Sequence, residues 1–301
     1  MVKLSCPVCS EPLKLSDRTY RCINNHCFDK AKEGYVNLLT GKHKDGSLIG
    51  DNREMAQSRK AFLEKGYFSA LKDFLSSYIK ENTAENAVVA DICCGEGYYS
   101  HCIKSETGRE VCGFDISKEM VRLAAKRKNG GTYFVANLSK IPLSEGSVDF
   151  AFHLFAPFHE KEISRILKEK GVVITVVSGE NHLFELKELL YDTPYKNDGN
   201  PPSTENLKLI HKENITTKVL LKSAEDIDAL FRMTPYYYHT KPEDKAKLHG
   251  VEKLQVTLDF AVYCFQKCKM QNAKCKITDE TVSDTRRDRR PRRSETTSLN
   301  L

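Results

Sequence analysis

The sequence predicts a doubly wound α/β domain carrying a small N-terminal module, and three observations lead there. Short, almost continuously apolar runs recur through the middle of the chain, with helical patterns between them. A glycine-containing turn follows the first of these runs, and four of the cysteines crowd into the first 27 of 301 residues. Strands that lack polar alternation and are interleaved with helices belong to a parallel sheet covered on both faces.

The elements follow in order. Residues 1–44 are turn-rich and cysteine-rich and form the front module. A helical linker occupies 45–85; its pattern runs from Asp51 to about Glu81 and is interrupted near Gly66. The main domain covers 86–266. Its strands fall at Val88–Ile92, Val111–Asp115, Thr132–Ala136, Val148–Leu154 and Val172–Val177, with a helix over Lys118–Lys128. Further on, Ala224–Phe231 is helical, and Leu254–Phe265 is a long strand suited to a sheet edge. From 267 to 301 the apolar periodicity stops. Arg286-Arg287-Asp288-Arg289-Arg290-Pro291-Arg292-Arg293 marks this stretch as a disordered basic tail.

Composition narrows the function classes. With 40% apolar and 29% charged residues the chain is globular rather than disordered or fibrous. No run approaches the roughly 18 apolar residues of a membrane span, and the first residues lack the apolar core of a signal peptide. A cytoplasmic chain is expected, with its eleven cysteines as reduced thiols rather than disulfides. The net charge of +6 is uneven. Residues 1–44 carry eight Lys/Arg against four Asp/Glu, residues 267–301 carry ten against five, and the segment between is slightly acidic. The two ends are therefore the parts suited to a polyanion.

Cys6-Pro-Val-Cys9 followed by Cys22-Ile-Asn-Asn-His26 has the form C-x2-C-x12-C-x3-H. Two close pairs separated by a short hairpin place four ligands around a tetrahedron, the arrangement zinc takes with thiolate and imidazole. Cys27 adjoins His26 and competes for the fourth position. Four protein ligands leave no open coordination site, so a structural zinc is expected, supplying folding free energy that so small a core cannot.

Asp91-Ile-Cys-Cys-Gly95-Glu96-Gly97 follows the first strand and opens a helix. Glycine at such a turn lets a ligand approach the backbone closely. Asp115 ends the second strand 20 residues beyond Gly95, where a carboxylate accepts hydrogen bonds from ribose hydroxyls. Asn137, after the third strand, is placed to meet an adenine edge. The dinucleotide fingerprint G-x-G-x-x-G is incomplete, because read from position 93 its first residue is Cys93 and read from Gly95 its third is Ser100. A nucleoside ligand without a pyrophosphate, such as S-adenosylmethionine, fits better.

Together these features resemble the bacterial large-subunit ribosomal RNA (guanine-N1)-methyltransferases of the RlmA type, from Cys6 to about Lys267. The resemblance rests on Cys6-Pro-Val-Cys9, Phe28-Asp-Lys-Ala-Lys-Glu-Gly-Tyr-Val-Asn-Leu-Leu39, Gly50-Asp-Asn-Arg-Glu-Met55 and Arg59-Lys-Ala-Phe-Leu63. It continues through Asp91-Ile-Cys-Cys-Gly-Glu-Gly-Tyr-Tyr99, Gly113-Phe-Asp-Ile-Ser-Lys118 and His182-Leu-Phe-Glu-Leu-Lys187. It implies a class I, Rossmann-like methyltransferase domain behind a zinc module that recognises RNA, with Cys6, Cys9, Cys22 and His26 as the zinc ligands. Contacts to S-adenosylmethionine are implied for Gly95 and Glu96 in the turn, with Gly97 beside them as a further cofactor-binding residue, for His182, and for Phe68 with Tyr67 beside it. A 23S ribosomal RNA hairpin is the implied substrate and a homodimer the implied assembly. One departure is Cys93, where such enzymes normally carry glycine.

The reaction implied is in-line attack of guanine N1 on the methyl sulfonium, with the base unstacked from its hairpin. The loop Phe155-Ala-Pro157-Phe158-His159 lies where a target base should sit, and His159 reads more readily as a helix-start residue than as a base. Tyr98 and Tyr99 read as packing residues. Glu33, Tyr35, Arg59 and the Tyr236-Tyr-Tyr238 run are equally compatible with RNA contact and with structure. Two other functions compete. One is a non-enzymatic RNA- or ribosome-binding protein with a cofactor turn disabled at Cys93. The other is a small-molecule or protein methyltransferase, disfavoured because the basic front module would then have no polyanion to meet.

Overall fold

The computed structural model describes residues 1–40 and 53–268. The expected basic tail and the start of the linker lie outside the described residues. The front module holds strands β1 (Lys14–Ser16), β2 (Thr19–Arg21) and β3 (Cys27–Asp29) in one antiparallel sheet, followed by β4 (Val36–Asn37). The linker is two helices, α1 (Arg53–Glu64) and α2 (Ser69–Asn82), broken where Gly66 takes φ +80°. The main domain then runs β5 (Val88–Ile92), α3 (Tyr98–Thr107), β6 (Glu110–Asp115), α4 (Lys118–Lys126), β7 (Thr132–Val135), β8 (Val148–Leu154), α5 (Glu160–Ile166) and β9 (Leu167–Ser178). It ends with α6 (Phe184–Leu190), β10 (Leu207–Leu221), α7 (Ala224–Arg232), α8 (Tyr236–His239), α9 (Pro242–Ala246) and β11 (Leu254–Lys267).

The main sheet has the order β10-β11-β9-β8-β5-β6-β7-β4, parallel from β9 to β4 and antiparallel at β10 and β11. Its strands divide their side chains between two apolar layers with the two-residue period of a pleated strand. Val89, Val111, Phe150 and Phe152 pack with Phe62, Leu71, Leu75, Ile79 and Ile103 from the helices on one face. Ala90, Ile92, Cys112, Phe114 and Ala151 pack with Ile141, Ile163 and Ile166 on the other. Burial on both faces is why these strands read as unbroken apolar runs.

The last strand departs from expectation. Leu254–Phe265 is not a sheet edge: β11 pairs with β9 on one side and with β10 along its length on the other. The edge is β10, for which no strand was predicted. Its sequence, Leu-Lys-Leu-Ile-His-Lys-Glu-Asn-Ile-Thr-Thr-Lys-Val-Leu-Leu, is half charged or polar because one face meets solvent, so it lacks the apolar signature of its neighbours.

The front module is also less separate than its composition suggests. Val36 and Asn37 pair in parallel with Phe134 and Val135, so β4 is the eighth strand of the main sheet. Leu4 bridges to Leu143, Ser5 N donates to Pro142 O at 3.1 Å, and Lys140 Nζ donates to Pro7 O at 2.7 Å. Leu4 and Leu13 share a core with Ile141 and Leu143. The module is thus clamped to the domain at two places.

Candidate functional site

In the front module, Cys6, Cys9, Cys22 and His26 bring four ligand atoms within 4.8 Å of one another. Cys9 and Cys22 Sγ lie 3.7 Å apart, and His26 Nδ1 lies 3.6 Å from Cys6 Sγ and 3.4 Å from Cys22 Sγ. Zinc bonds of about 2.3 Å to sulfur and 2.0 Å to nitrogen give tetrahedron edges of about 3.8 and 3.5 Å, so these residues fit the ion. Two tight turns shape the cluster: Ser10 N donates to Cys6 O and Asn25 N to Cys22 O, with Ser10 and Asn25 at positive φ. Hydrogen bonds from the Asn24 side chain and the Glu11 backbone lower the Cys9 thiol to about 6, favouring the thiolate that a metal requires. Cys27 is excluded from the tetrad: it is exposed, and its thiol turns to Asn25 O at 3.2 Å.

The second candidate site lies along the carboxyl edge of the parallel strands, where open α/β sheets bind ligands. After β5, the chain takes positive φ at Cys93 (+59°), Gly95 (+54°) and Gly97 (+79°). Cys93 therefore holds a conformation that suits glycine, at a cost of about 1–2 kcal/mol, and the turn keeps its shape despite the side chain. The two glycines have different reasons. A methyl group on Gly95 would meet open space, whereas one on Gly97 would lie 2.6 Å from Ala124 Cβ. Gly95 leaves the backbone open to a ligand; Gly97 admits α4.

Asp115 ties the turn to β6, accepting from Gly95 N at 3.1 Å and from Ser117 N at 2.9 Å. A carboxylate has further acceptor capacity for hydroxyls. Below the turn, Asp91 is buried and accepts from Ser100 Oγ at 2.5 Å; burial pushes its carboxyl up to about 8. Burial and the neighbouring Asp115 likewise push the Cys93 thiol up to about 12, keeping it neutral. Asn137, after β7, is exposed, and its side-chain oxygen accepts from Ser139 N and Oγ.

Across the edge from the turn, aromatic rings form a continuous run. Phe68 meets Phe260 at 5.4 Å, Phe260 meets His182 at 5.2 Å, and His182 stacks with Phe155 at 6.1 Å between ring centres. Burial lowers His182 to about 4, and its Nδ1 accepts from Asp259 N at 3.1 Å. The neutral ring then carries its proton on Nε2, which makes that atom a hydrogen-bond donor rather than a base. Asn197 fixes the turn before it by donating to Gly179 O and His182 O. Asn197 is held in turn by Lys187, a fully buried cation that also lies over the rings of Tyr195 and Tyr236.

Two of the expected cofactor residues also have partners within the protein. Arg127 takes the carbonyl of Glu96 and one of its carboxylate oxygens, Oε2, while the buried Oε1 has no hydrogen-bond partner among the described residues. Tyr67 points its hydroxyl at Asp226 on α7, at 2.8 Å, beside Lys65. Of the pair at the end of the linker break, Phe68 meets Phe260 directly, whereas the Tyr67 ring reaches Phe68 through Phe62, at 5.2 Å from Tyr67 and 5.8 Å from Phe68. His159 accepts from Glu162 N as the cap of α5, and Tyr98 and Tyr99 are packing residues. Tyr35 is buried and Glu33 pairs with Arg122. Sequence reasoning missed Arg127 and Phe260, which meet the site only through contacts between distant segments, and Lys187, which is linked to it through Asn197.

Comparison with known proteins gives a consistent result. The N-terminal zinc-ribbon model of RlmA matches residues 4–47, and a methyltransferase-domain model matches residues 89–173. A 23S rRNA (guanine(748)-N(1))-methyltransferase from Streptomyces fradiae is 32% identical over 274 residues, covering 86% of this chain and 95% of that protein. A relative from Micromonospora griseorubida, named as a candidate 23S rRNA (guanine-N(1)-)-methyltransferase, is 30% identical over 62% of this chain and 69% of its own length. A Bacillus subtilis relative named in the same way is 26% identical over 84% and 93%.

Proposed function

Since this chain belongs to the family of 23S rRNA (guanine-N1)-methyltransferases, we propose that the carboxyl edge of its sheet is where S-adenosylmethionine and a ribosomal guanine meet. The chain is an S-adenosylmethionine-dependent methyltransferase acting on guanine N1 of 23S ribosomal RNA, with zinc as a structural ion. The observation that carries the reading is the union of two parts in one body. The Cys3His tetrad is clamped through β4 to the same sheet whose β5 turn keeps its glycine-like backbone.

When bound, S-adenosylmethionine supplies a methyl group activated by a positive sulfur. The chain's own residues do the rest. In this reading Gly95 gives the cofactor close access to the backbone, Asp115 accepts from its hydroxyls and Asn137 meets its adenine. His182 donates from Nε2, and Phe68 closes the apolar side. Gly97, Glu96 and Tyr67 act from behind, through α4, Arg127 and Asp226. The basic front module meets RNA phosphates, which makes binding salt-dependent. A hairpin is the proposed form of the RNA, a homodimer the proposed assembly and the cytoplasm, where ribosomal RNA is found, the proposed compartment. Among the described residues no helix is long and apolar enough to cross a membrane.

The test is transfer of labelled methyl from S-adenosylmethionine to a 23S rRNA hairpin transcript, followed by reverse transcription. A methyl on N1 blocks the pairing edge of guanine, so a stop one nucleotide before a single guanine is expected. RNA binding without a stop or label would favour the non-enzymatic alternative, and label in RNA-free extract would favour another substrate.

A further inference from the structure

We propose that the ring of Phe155 is the surface on which the target guanine stacks during methyl transfer. The inference rests on the methyl-transfer reading and on His182 lining the cofactor. Phe155 directly follows β8, next to the β5 turn in the sheet order. Its backbone sits at φ +52°, a region that bulky residues rarely occupy and that persists when surrounding structure enforces it. Here the enforcement is visible. Phe155 N donates to Val176 O at 3.0 Å, and the loop beyond is held by buried His153, whose Nε2 lies 2.7 Å from Pro157 O and whose Nδ1 lies 3.2 Å from Thr175 Oγ1.

The consequence of this backbone is an aromatic ring left 43% exposed. Its other side is backed by His182 and by Phe260, whose ring centre is 5.8 Å away. Two other large aromatics are well exposed among the described residues, Tyr195 and Tyr238. Tyr195 lies under Lys187 and Tyr238 is on α8 against Met55, and neither follows a strand of the parallel sheet. Geometry selects the same ring. In an in-line transfer the nucleophilic atom approaches the methyl from the side opposite the sulfur, so the base must lie against the cofactor. A ring packed against His182 and still open to solvent is placed to meet a base brought against the cofactor. Stacking on an aromatic face is also the common way to hold a base taken out of an RNA hairpin.

The experiment uses the full zinc-loaded chain with Phe155→Ala, Phe155→Gly, Phe155→Leu and Phe155→Tyr. Kinetics are measured with a 23S rRNA hairpin transcript, and affinity for S-adenosylmethionine by calorimetry. The Ala, Gly and Leu variants are expected to lose roughly ten- to a hundred-fold in kcat/KM for RNA, with cofactor affinity within about two-fold of the parent. Phe155→Tyr, which keeps the ring, restores most of the loss. Glycine takes the +52° backbone without strain, so Phe155→Gly separates loss of the ring from loss of the loop. A Leu variant as active as the parent, an unchanged Ala variant, or a parallel collapse of cofactor affinity would each overturn the proposal. A parent chain that transfers no methyl overturns the methyl-transfer reading itself.

Discussion

Arg127 engages Glu96 at two places, donating from Nε to the backbone carbonyl at 3.0 Å and from its guanidinium to the carboxylate. Glu96 is 1% exposed, and burial raises its carboxyl above the usual range while Arg127 opposes that shift. The charge of one residue in the β5 turn is therefore compensated by a residue just past α4, and the pair ties the turn to the helix behind it.

Removing Arg127 strands a buried carboxylate. Arg127→Met is expected to cost about 3–5 kcal/mol, read as a drop in the denaturation midpoint, and to weaken S-adenosylmethionine binding. The double variant Arg127→Met with Glu96→Gln should recover much of the stability. A single variant as stable as the parent would show that the pair does not hold the turn.

The tetrad predicts one zinc per chain, retained by Cys27→Ser and lost from Cys6→Ser and His26→Ala. Zinc loss should also lower the stability of the main domain, because Leu4 and Leu13 share its core. Metal analysis alongside thermal denaturation, before and after chelation, reads both effects. Loss of zinc from Cys27→Ser alone would transfer the fourth ligand to that thiol.

Cys93→Gly relieves about 1–2 kcal/mol of left-handed strain but loses a half-buried side chain and adds the unfolded-state freedom of glycine, about 0.5–1 kcal/mol. A net stability change under about 1 kcal/mol is expected, and calorimetry should give both proteins similar affinity for S-adenosylmethionine. Binding by the glycine variant alone would mean that the natural turn has lost its ligand.

Asp91 sets a pH dependence of stability. Its folded value of about 8 lies above the ordinary 3.8, so the folded state holds the extra proton between these limits and loses stability as pH rises through that window. Asp91→Asn, which can still accept from Ser100, lacks this loss. Relative to that variant the parent should be less stable at pH 8 than at pH 5, by at least about 1 kcal/mol. Parallel stability curves would show an ordinary, ionised carboxylate.

His182 works in the opposite sense. Its folded value of about 4 lies below the usual 6.5, so the unfolded chain takes up the proton first and stability falls as pH drops between them. His182→Gln should remove that acid-side loss. Because the ring stays neutral above pH 5, affinity for S-adenosylmethionine should show no step near pH 6.5 attributable to it. Such a step, present in the parent and absent from the variant, would place a protonated His182 in the site.

The sequence by itself determined the Cys/His cluster suited to zinc, the doubly wound core and the β5 turn, because each is written locally. Ligand spacing is short, strands buried on both faces are continuously apolar, and two of the turn's three positive-φ positions are glycines. Tertiary structure decided what depends on approach between distant segments. It placed His26 rather than Cys27 in the tetrad through the turn at Asn25, and covered β11 with the mostly polar β10. It joined Val36 to the main sheet, and paired Glu96 with Arg127 and Tyr67 with Asp226. It also brought Phe68, Phe260, His182 and Phe155 into one run of rings. Those four residues come from separate parts of the chain, and no local pattern ties them together; only the crossing of their strands and helices does.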